Sequence, residues 1–193
     1  MARALALAAL LLVATATALV TVAGLVTPGY DPMARTVSRL AVPGMPAAPY
    51  VDLAIAATGV ACFTLGAGAG RGRAALLVAG VGFLGASLIH LDPASAASTA
   101  GHRAASAVAV LGLAAAPFVL RGYGRTLVVL GVLAVAMLVI GAPLLTTSFS
   151  AWGAWERCLL AIQLAWMVGI ARKIASRHAT TSVPAAMASS TGS

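Results

Sequence analysis

The chain has 193 residues, 61% hydrophobic and only 8% charged, with a formal net charge of +8. A soluble domain carries about a quarter charged residues, so a water-soluble globular fold is excluded. The basic residues form short clusters between apolar runs, not one face, which excludes a nucleic-acid surface; two cysteines are too few for a disulfide framework.

An apolar run of about 20 residues spans about 30 Å of hydrocarbon. Six runs qualify, at roughly 4–27, 51–70, 74–91, 103–120, 126–146 and 153–171. Lipid forces each segment to satisfy its own backbone groups, so the runs are read as helices. The expected fold is all-α: a polytopic bundle of six transmembrane helices over residues 1–173, followed by a disordered tail, 174–193. The first run is longer than the apolar core of a signal peptide and is read as a retained helix.

Residues 28–50 form the long loop after the first helix. Within "YDPMARTVSRL", Asp31-Pro32 is a helix-start signal. Met33, Val37 and Leu40 fall on one face and Asp31, Arg35, Ser38 and Arg39 on another, which predicts a short amphipathic helix at the interface. Arg35 and Arg39, one turn apart, suit a phosphate or carboxylate; alternatively Asp31 pairs with Arg35 and Arg39 is solvated. "AVPGMPAAPY" is then an ordered, non-helical return. Tyr50 fits an aromatic belt. Asp52, at the start of the second helix, reads more readily as a cap or dipole partner than as a catalytic group.

"IHLDPASAASTAGHRAAS", residues 89–106, joins the third and fourth helices. Ser87 and His90 share a face, Asp92-Pro93 ends the helix, Ser98 is placed to cap the next, and His102 and Ser106 share a face at its start. His90, Asp92 and His102 are candidate ligands for a divalent metal such as zinc, with an open position for water. The other reading is a hydrogen-bonded polar cluster, because the spacing matches no known zinc signature.

"GAGAG" at 66–70 and Gly80, Gly82 and Gly85 suit close helix contacts in lipid. Pro117 and Pro143 are candidates to kink the fourth and fifth helices. The sixth begins "WGAWERCLLAIQLAW", with belt residues Trp152 and Trp155. Glu156 and Arg157 follow one turn in, where ionisable groups are costly and are functional candidates. Glu156 shares a face with Gln163, which predicts a polar stripe facing the bundle interior.

Lys and Arg set orientation. With the N-terminus inside, Arg3, Arg71, Arg73, Arg121, Arg125, Arg172, Lys173 and Arg177 face the cytoplasm, against Arg35, Arg39, Arg103 and Arg157 outside. Six spans put both termini in the cytoplasm. All four acids, Asp31, Asp52, Asp92 and Glu156, fall in the outer half, which the positive-inside rule alone does not explain.

Three segments together resemble an uncharacterised prokaryotic membrane family, the domain-of-unknown-function family numbered 998. "GYDPMARTVSRLAVPG" resembles its Y-x-P…x-S-x-L-x…G segment. "IHLDPASAASTAGHRAAS" is similar to its acid–Pro–His segment after the third helix, and "GAWERCLLAIQLAWMVGIARK" to its last helix. The resemblance spans about residues 20–172 and implies the six-helix layout; it carries no function.

The leading functional expectation is a multi-pass protein of the cell membrane with an outward polar pocket. Asp31, Arg35, Ser38, Asp52, Arg103 and Arg157 are the ligand-binding candidates, for a membrane lipid head group or another amphipathic molecule. The alternative is a membrane-embedded enzyme acting on a lipid or isoprenoid. It would use His90, Asp92 and His102 to hold a metal and activate water, or a buried carboxyl group such as Glu156 as the acid in cyclase-type chemistry. No catalytic Ser/His/Asp motif, cofactor fingerprint or inverted repeat stands out, and a transporter is the least supported class.

Overall fold

The computed structural model describes residues 1–70, 73–120 and 122–180, with side chains to Arg177. It is all-helical over these residues: α1 (Ala2–Val26), α2 (Ala48–Ala69), α3 (Arg73–Leu88), α4 (Ala96–Val119), α5 (Arg125–Leu144) and α6 (Trp152–Thr180), with a 3₁₀ helix, Val37–Ala41, between α1 and α2. Arg71, Arg121, the His178 side chain and the tail from residue 181 lie outside the described residues. Helix α6 runs to Thr180, so the chain is still helical beyond residue 174, where the tail was expected to begin.

The helix ends have local causes. Helix α1 stops at Thr27, which is extended and precedes Pro28. Its threonines do not break it, because Thr17 and Thr21 return their hydroxyls to the carbonyls of Val13 and Thr17. Helix α2 starts with Pro49 in its first turn and ends at Gly70, whose φ of 68° L side chains rarely adopt. Ser95, not Ser98, caps α4: its Oγ accepts from the Ser98 amide at 3.2 Å. Pro117 and Pro143 lie within the last turn of α4 and α5, so they mark helix ends rather than mid-helix positions.

Each helix packs on the next in sequence, and α6 closes the ring against α1. Without a hydrophobic drive between helices in lipid, close packing must hold them together. Small residues supply it. A Cβ on Gly82 of α3 would collide with the Ala109 amide nitrogen of α4 and come within 2.7 Å of its Cα. One on Gly112 of α4 would sit 2.9 Å from the Ala79 nitrogen of α3. Leu65, Leu76, Leu113, Met167 and Ile170 fill the centre.

The outward faces are apolar: Leu11, Leu25, Val81, Leu111 and Val139 are each more than half exposed. Such a surface suits acyl chains and not water. Five helices are long and apolar enough to cross a membrane, while α3, at 16 residues, is shorter. The protein is a multi-pass helical membrane protein.

Candidate functional site at the loop-covered end of the bundle

The long loop folds over one end of the ring. Asp31 behaves as its sequence suggests, but locally: Oδ1 accepts from the amides of Met33 (2.8 Å) and Ala34 (3.4 Å), and its carbonyl accepts from the Arg35 amide at 2.8 Å. One turn forms. Thr36 is then extended, and the chain restarts as the 3₁₀ helix. The predicted amphipathic helix is thus a turn plus a 3₁₀ helix that buries Val37, Leu40 and Ala41 against α1, α2 and α6, while Met33 stays exposed. The anticipated Asp31–Arg35 ion pair is absent among the described residues.

Two side chains from the start of α6 hold this loop. The Glu156 carboxylate accepts from the Val37 amide, capping the 3₁₀ helix from another element. Arg157 donates from Nη1 to the carbonyls of Pro32 (2.6 Å), Arg35 (3.1 Å) and Gly153 (3.1 Å). Its Nη2 donates to the Tyr30 hydroxyl at 2.6 Å, and the guanidinium lies 5.5 Å from the Tyr30 ring centroid. Tyr30 in turn donates toward the carbonyls of Arg35 and Thr36. Burial pushes the Tyr30 hydroxyl above its ordinary pKa against the opposing pull of Arg157, so it stays a donor. Arg157, expected as a ligand-binding group, is therefore occupied with the loop backbone.

Asp52 pairs with His90 across 2.9 Å, joining the top of α2 to the end of α3. Both groups are partly exposed, so the pair is worth about 1 kcal/mol or less. Asp52→Ala is expected to move the unfolding midpoint in detergent only slightly, a result readable by thermal shift. The 89–95 turn is tied to α4: Ser98 Oγ donates to the His90 carbonyl (2.7 Å), Thr99 Oγ1 to the Asp92 carbonyl (2.6 Å), and Asp92 Oδ1 accepts from the Ala94 amide (2.8 Å).

His102 is buried at the start of α4. Its Nδ1 lies 2.7 Å from the Ile89 carbonyl oxygen and 3.1 Å from that of Ala86, and its Nε2 lies 3.0 Å from Ser38 Oγ. These contacts do not bring the three candidate metal ligands together. His90 turns to Asp52, Asp92 to its own turn, and both His102 nitrogens are engaged. Among the described residues no three His, Cys, Asp or Glu side chains are placed to hold a metal ion.

The groups that do converge line a cavity of about 1150 Å³, under the loop and between α4 and the α5–α6 connection. Arg35, Ser38, His102, Arg103 and Glu156, all singled out from sequence, contribute to its walls, as do Arg39, Ser106 and Trp152. Asp31, Asp52, His90, Asp92 and Arg157 are not among its lining residues. Gln163, two turns along α6 from Glu156, is buried inside the bundle, where its Nε2 donates to the Val110 carbonyl of α4 at 2.9 Å. The sequence reading missed Tyr30 as the support of the loop. The signal was its place in the "YDP" segment, ahead of the turn it holds.

A loop-covered ring of apolar helices with a charged cavity at one end defines a class, the multi-pass membrane proteins. Within it the chain belongs to the family described as protein of unknown function (DUF998), which matches residues 4–173. No curated protein and no solved structure matches the chain.

Proposed function

We propose that this is a six-span protein of the cell membrane, with both termini cytoplasmic, whose outward cavity binds the anionic head group of a lipid or similar amphipathic molecule. The sidedness rests on the clustering of Lys and Arg at the opposite end from the cavity. At 1.5 Å per residue α3 is about 24 Å long, enough to cross a slightly thinned bilayer.

The binding reading rests on one observation, the charge balance of the cavity. Arg35, Arg39 and Arg103 reach its walls, are exposed, and make no side-chain hydrogen bond or ion pair among the described residues. Glu156 is the one acid there, and its carboxylate already accepts from Val37. Three unspent guanidinium groups beside a cavity fit a phosphate or carboxylate.

The test is purification in mild detergent, with bound lipid measured by mass spectrometry. Wild-type protein is expected to retain anionic lipid. The Arg35→Ala/Arg103→Ala double variant should retain at least about tenfold less, since each lost charge-assisted contact costs about 1.5 kcal/mol or more. Equal lipid in both would remove the basis of the reading.

A further inference from the structure

We propose that Ser38 and His102 form a nucleophile–base pair that cleaves an acyl ester of the anionic lipid held in the cavity. This rests on the head-group reading above and names its chemistry.

The hydrogen-bond partners of His102 fix its tautomer. Nδ1 faces two carbonyl oxygens, those of Ile89 and Ala86. A carbonyl oxygen only accepts, so Nδ1 carries the proton. Nε2 therefore presents its lone pair, and it does so 3.0 Å from Ser38 Oγ. The serine hydroxyl donates to it. This is how a serine is activated: a base within hydrogen-bond reach, itself oriented by a third group. Here backbone carbonyls at the end of α3 take the orienting role that a carboxylate often fills. The same two carbonyl dipoles point at the ring that becomes positive when it takes the proton.

Placement supports the chemistry. Ser38 and His102 are on the wall of the cavity that Arg35, Arg39 and Arg103 line. The Ser38 backbone is held on both sides, since Glu156 caps the 3₁₀ helix at Val37 and Leu40 is fully buried. A purely structural clasp between loop and helix would not need to face an open, cationic cavity.

The reaction balances with water as the second substrate. Ser38 Oγ attacks the ester carbonyl carbon and its proton passes to His102 Nε2. The bond from that carbon to the alcohol oxygen breaks, and the leaving alkoxide takes the proton back from His102. Water, deprotonated by the same Nε2, then cleaves the acyl–Ser38 ester. The fatty acid leaves and the Ser38 hydroxyl is restored. The cavity arginines line the space that the negatively charged head group would occupy.

The test exposes purified full-length protein to a neutral alkyl fluorophosphonate. On a base-activated serine the Oγ–P bond forms as the P–F bond breaks and fluoride leaves. Peptide mass spectrometry is expected to place the adduct on Ser38 of the wild type. His102→Gln can still hydrogen-bond Ser38 but cannot take its proton, and should label about a hundredfold more slowly or worse. No adduct at Ser38 in folded wild-type protein overturns the proposal, and that result depends on no variant. A folded His102→Gln that labels at the wild-type rate overturns it too. Labelling at Ser38 with no anionic lipid bound to the wild type would sink the head-group reading and leave the pair standing. Lipid bound without labelling would do the reverse.

Discussion

Arg157→Ala is expected to release the loop that covers the cavity. The guanidinium donates to three carbonyls and the Tyr30 hydroxyl, and among the described residues it is the one cation that ties residues 30–35 to α6. Hydrogen bonds to a charged group contribute about 1.5–3 kcal/mol each, with losses from one cluster far from additive. A net cost of about 3 kcal/mol raises the open population of the loop roughly a hundredfold. Trypsin reads this directly, since Arg35 and Arg39 lie in the released segment. Cleavage there should accelerate by a similar factor while the helices stay protected. Arg157→Lys keeps the charge but loses the fork that spans several carbonyls, so it should fall between wild type and Arg157→Ala. Unchanged cleavage in Arg157→Ala would mean that Glu156, the Ala154 amide bond to the Met33 carbonyl and the buried Val37 and Leu40 hold the loop without it.

The helices were legible because lipid leaves a chain few options. Each apolar run of about 20 residues must satisfy its backbone internally, so hydropathy locates a helix directly. Hydropathy marks depth, however, and not where hydrogen bonding starts. Helix α4 begins at Ala96, seven residues before its apolar stretch at 103, because "AASTAGH" is small and polar yet capped by Ser95 and fully helical. The loop misled for a different reason. Three apolar positions at spacings of four and three fit an α-helix, and Val37 and Leu40, three apart, fit a 3₁₀ turn equally well; extended Thr36 decides between them.

The polar residues of the site were legible, but their partners were not. Ser38 and His102 are 64 residues apart, Asp52 and His90 38, Arg157 and Tyr30 127. No local pattern encodes such pairs. The scarcity of charge does narrow them, and it answers why all four acids gather at one end. Asp31 and Asp92 order turns, Asp52 meets His90, and Glu156 caps the 3₁₀ helix. Each acid has a hydrogen-bonding task in the end that carries the loops, where backbone amides lack helical partners.

Gly82→Leu is expected to do the widest damage, reaching the site without touching it. The Gly82 Cα faces α4 so closely that a Cβ would overlap the Ala109 amide nitrogen and lie 2.8 Å from the Ala105 carbonyl oxygen. These are backbone atoms of a helix and cannot rotate away, so α3 and α4 must separate. Overpacking of this kind costs about 1–3 kcal/mol or more; with backbone against backbone the upper end or beyond applies. The consequence lies two turns along. Ala86 and Ile89, whose carbonyls hold His102 Nδ1, are on α3 and just past its end, while His102 is on α4. Separation stretches both contacts, and with them goes the constraint that keeps the Nε2 lone pair on Ser38. The variant should therefore unfold at lower temperature and, where still folded, label at Ser38 far more slowly than wild type. Gly85→Ala is the milder comparison: its Cβ would stand 3.2 Å from the Ala105 methyl, so the helices need give by only a few tenths of an ångström, and both stability and labelling should fall far less than in Gly82→Leu. If Gly82→Leu melts early yet labels normally, the geometry of His102 does not depend on the α3–α4 contact.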